Sequence, residues 1–155
     1  MCSFAKDIGI DLGTASVLVY VKGKGVVLNE PSVVSIDNNT KKVLAVGENA
    51  RKMIGRTPSN IVAIRPLKAG VISDYLTTEV MIKDLLSRVC TKSIFKPKVV
   101  ICVPSIVTEV EKKAFFDLVI HSTAKAKEVN IVERSIADAV GLNLDIQNTK
   151  GIMIA

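Results

Sequence analysis

Asp11, Gly13, Thr14 and Ser16 stand close together in GIDLGTAS, residues 9–16. Glycine at a tight corner lets backbone N–H groups approach an anion, and neighbouring hydroxyls add donors. An acidic residue at a strand end can hold Mg2+ through waters, because Mg2+ gives up its hydration shell reluctantly. The chemistry these types would serve together is the holding of a phosphate group. The plain alternative is a turn in which Asp11 satisfies nearby amides.

The elements that must position this corner lie on either side of it. Residues 8–12 are apolar except for Asp11, and residues 16–21 are rich in β-branched and aromatic side chains, so both read as strands. Gly13 interrupts them. A second turn at residues 22–25 and an apolar run at 26–28 complete a three-stranded meander. Strands are expected at 32–36 and 42–46, a short helix at 48–54, a loop at 56–60, and a strand in IVAIRPL closed by Pro66. Residues 33–70 thus read as a small α/β insert. A helix is expected over 77–90, with Met81, Leu85 and Val89 on one stripe and Ile82 and Leu86 beside it. Residues 99–103 predict a buried strand stopped by Pro104. TEVE at 108–111 is a capping box opening a helix to about residue 123. EVNIVE reads as a strand, 136–144 as a helix, and GIMIA as the start of one more strand. Strands alternating with helices after a meander indicate an α/β domain with a mixed sheet.

Composition narrows the function classes. The chain has 155 residues, room for one domain with a small insert. It is 48% apolar and 23% charged, so it reads as globular rather than disordered. No apolar run reaches the roughly 18 residues of a spanning helix, and residues 1–6 are too short for a signal peptide. Cys2, Cys90 and Cys102 are odd in number and widely spaced, which suits a reducing cytoplasm and shows no metal spacing. Cys90 and Cys102 sit in apolar patterns and are expected as core thiols. His121, the single histidine, is expected on a helix surface. The net charge of +6 is scattered, and only 4% of residues are aromatic, so nucleic acid is not an expected partner. Anionic lipid or solubility explains the charge better.

D-L-G-T alone occurs in actin-like filament proteins, sugar kinases and chaperone ATPases. The longer order is more specific: DIGIDLGTASVLVYVKGKGVVLNEPSVVSID, VLAVGENARKMIGRTPSNIVAIRPLKAGVISD, KPKVVICVPS and VTEVEKKA. It resembles the MreB family of bacterial actin homologues that set cell shape, over residues 7–155. The segment 56–70 carries most of the specificity and argues against the other two families. The resemblance implies an actin-like (ribonuclease H-like) α/β fold, a mixed sheet flanked by helices with a small α/β insert subdomain. It also implies ATP with Mg2+ in a cleft between two halves. Residues 1–32 plus 71–155 resemble the larger subdomain of the first half and 33–70 the small one, and the second half is expected to be absent. By the same resemblance, Asp11 holds Mg2+ through water. Gly13, Thr14, Ala15 and Ser16 form the first phosphate loop, where Ser16 replaces the usual Asn and still donates. Ile94 and Phe95 match a Leu-Phe pair associated with insertion into the inner face of the cell membrane. Lys92, Lys96 and Lys98 lie around them. The plain reading is that Ile94 and Phe95 cap the core under their loop.

Several positions depart from the family pattern. The second phosphate loop follows position 155 in the family, and the adenosine pocket lies later still. The family's Glu-Glu-Pro-Met-Ala-Ala-Ala is Glu133-Arg134-Ser135-Ile136-Ala137-Asp138-Ala139 here. Arg134 stands where the second glutamate is linked to positioning the attacking water, and a guanidinium cannot act as that base. Ile106 and Lys125 replace glycines. The expectation is a cytoplasmic, membrane-associated filament subunit that organises cell-wall synthesis, with like subunits as partners. Its ATP binding is expected to be weak or absent, its ATPase activity lost, and no catalytic residue is assigned. The rivals are a phosphotransferase or ATPase of the same superfold, for which no acceptor pocket or general base is found, and an inert or regulatory fragment that binds full-length subunits.

Overall fold

The computed structural model describes residues 7–56, 60–90, 96–122 and 126–147. Cys2, Ile94, Phe95, Lys125 and the GIMIA segment lie outside the described residues. Strands β1 (Ile8–Leu12), β2 (Ser16–Val21) and β3 (Gly25–Pro31) form the antiparallel meander, with β3 running on to Pro31. Strands β4 (Val34–Asp37), β5 (Val43–Val46) and β6 (Ile61–Ile64) form a separate sheet in the order β5-β4-β6, and helix α1 (Glu48–Met53) packs on it. Two-residue strands β7 (Leu67–Lys68) and β8 (Val71–Ile72) make a small hairpin too short to leave a periodic pattern. Then follow α2 (Tyr75–Val89), β9 (Lys98–Val103), α3 (Glu109–Ile120), β10 (Glu128–Glu133) and α4 (Arg134–Gly141). The main sheet has the order β10-β9-β1-β2-β3, with the first three strands parallel and the last two antiparallel. This is the mixed α/β sheet that the pattern predicts.

Caps set the helix starts. The Asp74 carboxylate accepts the Thr77 N–H at 3.1 Å, so α2 begins before its apolar stripe does. The capping box at α3 is complete: Glu111 Oε2 accepts the Thr108 N–H at 2.7 Å, and Thr108 Oγ1 accepts the Glu111 N–H. The Thr108 N–H, and then its hydroxyl, hold the Glu111 carboxyl below its usual range. The box is therefore present above the unfolded carboxylate pKa and is lost as pH falls through the lowered value.

Alternation along the strands sends one face into the core. Ile8, Ile10 and Leu12 pair with Val21, Val19 and Val17 on one side, while Ile8 and Ile10 pair with Val99 and Ile101 on the other. All are buried, in one cluster with Met81, Leu85 and Leu86 of α2 and Phe115 and Leu118 of α3. The opposite face is less covered than expected. Val100 is 38% exposed and Cys102 only half-buried, because among the described residues the short helix α4 packs over only part of that face. Cys90 is likewise half-buried but packs against the main core, whereas Cys102 lies on the opposite face and is not the core thiol its apolar surroundings suggest. His121 ends α3 on the surface, its ring Nδ1 2.9 Å from Asp117 O. Glu30 ties the two sheets together. Its Oε2 accepts the Glu48 N–H at 2.6 Å at the start of α1, and its Oε1 meets Arg88 of α2 at 3.2 Å. Among the described residues, no helix is long and apolar enough to cross a membrane.

Candidate functional site

The carboxyl ends of the three parallel strands converge, and in α/β sheets that edge is where ligands bind. Gly13 follows β1, Pro104 and Ser105 follow β9, and α4 starts directly after β10. Asp11 is the register partner of Cys102, and Cys102 of Val132, so the three share the face opposite the main core. The Ser105 and Ser135 hydroxyls lie 3.1 Å apart and join the end of β9 to the first turn of α4.

The corner itself is held tightly. The Gly13 N–H donates to Ser16 O at 3.0 Å, the Ser32 hydroxyl donates to Gly13 O at 2.6 Å, and the Ser32 N–H donates to Ala15 O at 3.0 Å. A Cβ on Gly13 would sit 2.7 Å from Ser16 O, so the turn admits only glycine. The Thr14 and Ala15 amides have no acceptor among the described residues. Thr14 Oγ1 accepts the Gly70 N–H at 2.8 Å, which leaves its own O–H free to donate outward. Gly70, at φ 76°, packs so closely on the Pro104 ring that a side chain there would collide with it. Residues 13–16, the β7–β8 hairpin and the end of β9 are therefore one packed unit.

Arg134 completes the site. It is the first residue of α4, and its Nη2 donates to Asp11 Oδ1 at 2.6 Å and lies 3.5 Å from Leu12 O. Its Nε is buried without a partner among the described residues. A hydrated Mg2+ about 5 Å from that guanidinium would be repelled by roughly 2–7 kcal/mol for an effective dielectric between about 80 and 20. Mg2+ thus does not fit beside Asp11 while Arg134 is in place. The Cys102 thiol, pushed up by burial and then by the Asp11 carboxylate, stays protonated near neutral pH and offers no thiolate ligand.

The structure thus brings Asp11 and the Gly13–Ser16 corner together at one edge of the sheet. Sequence reasoning marked Arg134 as a residue unable to act as a base but missed it as the partner of Asp11. It also missed Gly70, Pro104 and Ser32. The signals pointing to Arg134 are its place at the family's second glutamate position and its start of a helix straight after a strand, and nothing in a single sequence names its acid.

Comparison with known proteins bears on this geometry. The family model described as MreB/Mbl protein matches residues 5–155. The cell shape-determining protein Mbl of Bacillus cereus is 55% identical over 152 residues, covering 97% of this chain and 45% of that protein. The cell shape-determining protein MreB of Escherichia coli is 45% identical over 157 residues, again covering 97% and 45%. The chain therefore spans about half the length of the curated relatives it matches. Among solved structures, MreB5 of Spiroplasma citri bound to ADP superposes with a TM-score of 0.81 at 36% identity, covering 92% of this chain and 42% of that one. The MamK double helical filament superposes with a TM-score of 0.75 at 17% identity, a likeness of fold alone, covering 90% and 44%. The fold is actin-like, and the chain belongs to the MreB/Mbl family.

Proposed function

We propose that this chain supplies the first half of a cell-shape-determining cytoskeletal subunit, with residues 11–16 as one wall of a nucleotide cleft. One observation carries the reading: the Gly13–Ser16 corner presents open amides and a free hydroxyl proton at the carboxyl ends of three parallel strands. The relatives' cell-shape names and the nucleotide-bound MreB5 structures support it. Residues 1–32 plus 71–155 are read as the larger subdomain and 33–70 as the small one, which accords with the separate β5-β4-β6 sheet. A ligand held by one wall forfeits much of its contact and desolvation, so the chain by itself binds ATP weakly. Arg134 is no general base, so hydrolysis is not expected, which also disfavours a phosphotransferase.

Assembly with like subunits is the test of the cytoskeletal reading. Val140 and Leu142 are 55% and 67% exposed, and Ile136 and Leu144 also face solvent, an apolar strip available for association. In sedimentation, the chain should self-associate and should pellet with filaments of a full-length family member. Val140→Lys/Leu142→Lys should reduce both. A folded monomer that stays in the supernatant beside filaments would contradict the proposal.

The setting proposed is cytoplasmic and membrane-associated, with Ile94 and Phe95 inserting into the inner face of the membrane. Burial of two such side chains contributes roughly 3–5 kcal/mol. Lys96 is exposed beside them, whereas Lys98 is paired with Glu128 at 2.9 Å and has less charge to offer lipid. Co-sedimentation with anionic liposomes should fall by at least about 100-fold in affinity for Ile94→Ser/Phe95→Ser, as a loss of that size requires. Unchanged binding would remove this loop from the membrane contact.

A further inference from the structure

The geometry points to Arg134 as a built-in replacement for a divalent cation at Asp11, so that this corner meets a phosphate group with a fixed guanidinium and takes up no metal. The inference rests on the reading of residues 11–16 as a phosphate loop. Two anionic groups facing each other across a corner need a cation between them. Asp11 is one such group, and a phosphate on the Gly13–Ser16 amides would be the other. Arg134 Nη2 already contacts Asp11 Oδ1 at 2.6 Å and approaches the Leu12 carbonyl, one residue before Gly13. That geometry spends only one of the two terminal nitrogens. Nη1 has no hydrogen-bond partner among the described residues and is not sealed from solvent, so it retains N–H groups for an incoming oxygen.

The backbone of Arg134 is anchored. Arg134 opens α4 immediately after β10, with β9 lying between β10 and the β1 strand that carries Asp11. The neighbouring Ser135 hydroxyl is tied to Ser105 at the end of β9. A guanidinium keeps its proton throughout the physiological range, so the charge it supplies does not depend on pH or on metal supply. The other titratable groups nearby do not change this balance into a metal site. Cys102, the register partner of Asp11, offers no second carboxylate, and Asp138, one turn further along α4, is exposed.

The test uses amide nitrogen–proton spectra of the whole chain with Mn2+ as a paramagnetic probe and inorganic pyrophosphate as the phosphate probe. In the unaltered chain, submillimolar Mn2+ should leave the Asp11, Leu12 and Gly13 amides unbroadened. Pyrophosphate should shift residues 13–16 equally in EDTA and in Mg2+. Arg134→Met should admit Mn2+, with those amides losing most of their intensity, and should make the pyrophosphate shift depend on Mg2+. Arg134→Lys, which keeps the charge, should resist Mn2+ like the unaltered chain and guards against an Arg134→Met chain that fails to fold. Broadening at Asp11 in the unaltered chain, an Arg134→Met chain that folds but is not broadened, or a pyrophosphate shift that needs Mg2+ in the unaltered chain would each overturn the inference. If pyrophosphate moves nothing at residues 13–16 in any chain, the phosphate-loop reading fails, and the Mn2+ spectra still decide what Arg134 does to metal.

Discussion

Gly70→Ala is expected to lower the melting temperature of the chain by on the order of 10 °C. Two costs add. Ala69 and Gly70 are the central residues between β7 and β8, and both have positive φ, 49° and 76°, as a two-residue type I′ hairpin requires. Alanine at the second position pays about 1 kcal/mol for the left-handed backbone, and Ala69 already pays a similar strain. The new Cβ would also collide with the Pro104 ring, whose atoms cannot swing away as a flexible side chain would. Relief by backbone shift costs about 1–3 kcal/mol more. The total of roughly 2–4 kcal/mol translates to the stated shift for a chain of this size. Movement of Gly70 also breaks its N–H bond to Thr14 Oγ1. Thr14→Val should therefore cost less than Gly70→Ala, about 1–3 kcal/mol for an orphaned amide, and the two should not add. A Gly70→Ala chain melting within a degree or two of the parent would show that the hairpin is not pinned against the end of β9.

Local features of this fold were legible in the sequence because their causes are local. The capping box at Thr108 and Glu111, the glycine turn after β2 and the apolar stripe of α2 each depend on residues a few positions apart, and each forms as read. The β7–β8 hairpin was not legible, since two-residue strands carry no period and Ala69 is not a residue that advertises positive φ. Burial of β9 was overestimated because a run of five apolar residues does not say how many helices cover its second face. Ile106, in place of a family glycine, is 80% exposed and does not adopt positive φ, so the substitution needs no strained backbone. Within the site, Asp11 and the Gly13–Ser16 corner were readable as one contiguous stretch. The contact of Arg134 with Asp11 joins two residues far apart in the chain, and only the β10-β9-β1 order brings them together.

If residues 11–16 form a phosphate wall of an actin-type nucleotide cleft, a titration of the chain with ADP should show it. The corner has the required parts: two amides without acceptors among the described residues, a threonine hydroxyl that can donate outward, and the Arg134 guanidinium bonded to Asp11. With a single wall, the affinity should be weak, so the shifts should continue to grow into the millimolar range. Amide nitrogen–proton spectra of the chain should show the largest changes at Gly13, Thr14, Ala15 and Ser16, smaller ones at Gly70 through its bond to Thr14, and little on the β5-β4-β6 sheet. Thr14→Val should shrink the changes at the corner, because it removes the hydroxyl donor. Changes centred elsewhere, or none at residues 13–16 with millimolar ADP present, would contradict the account.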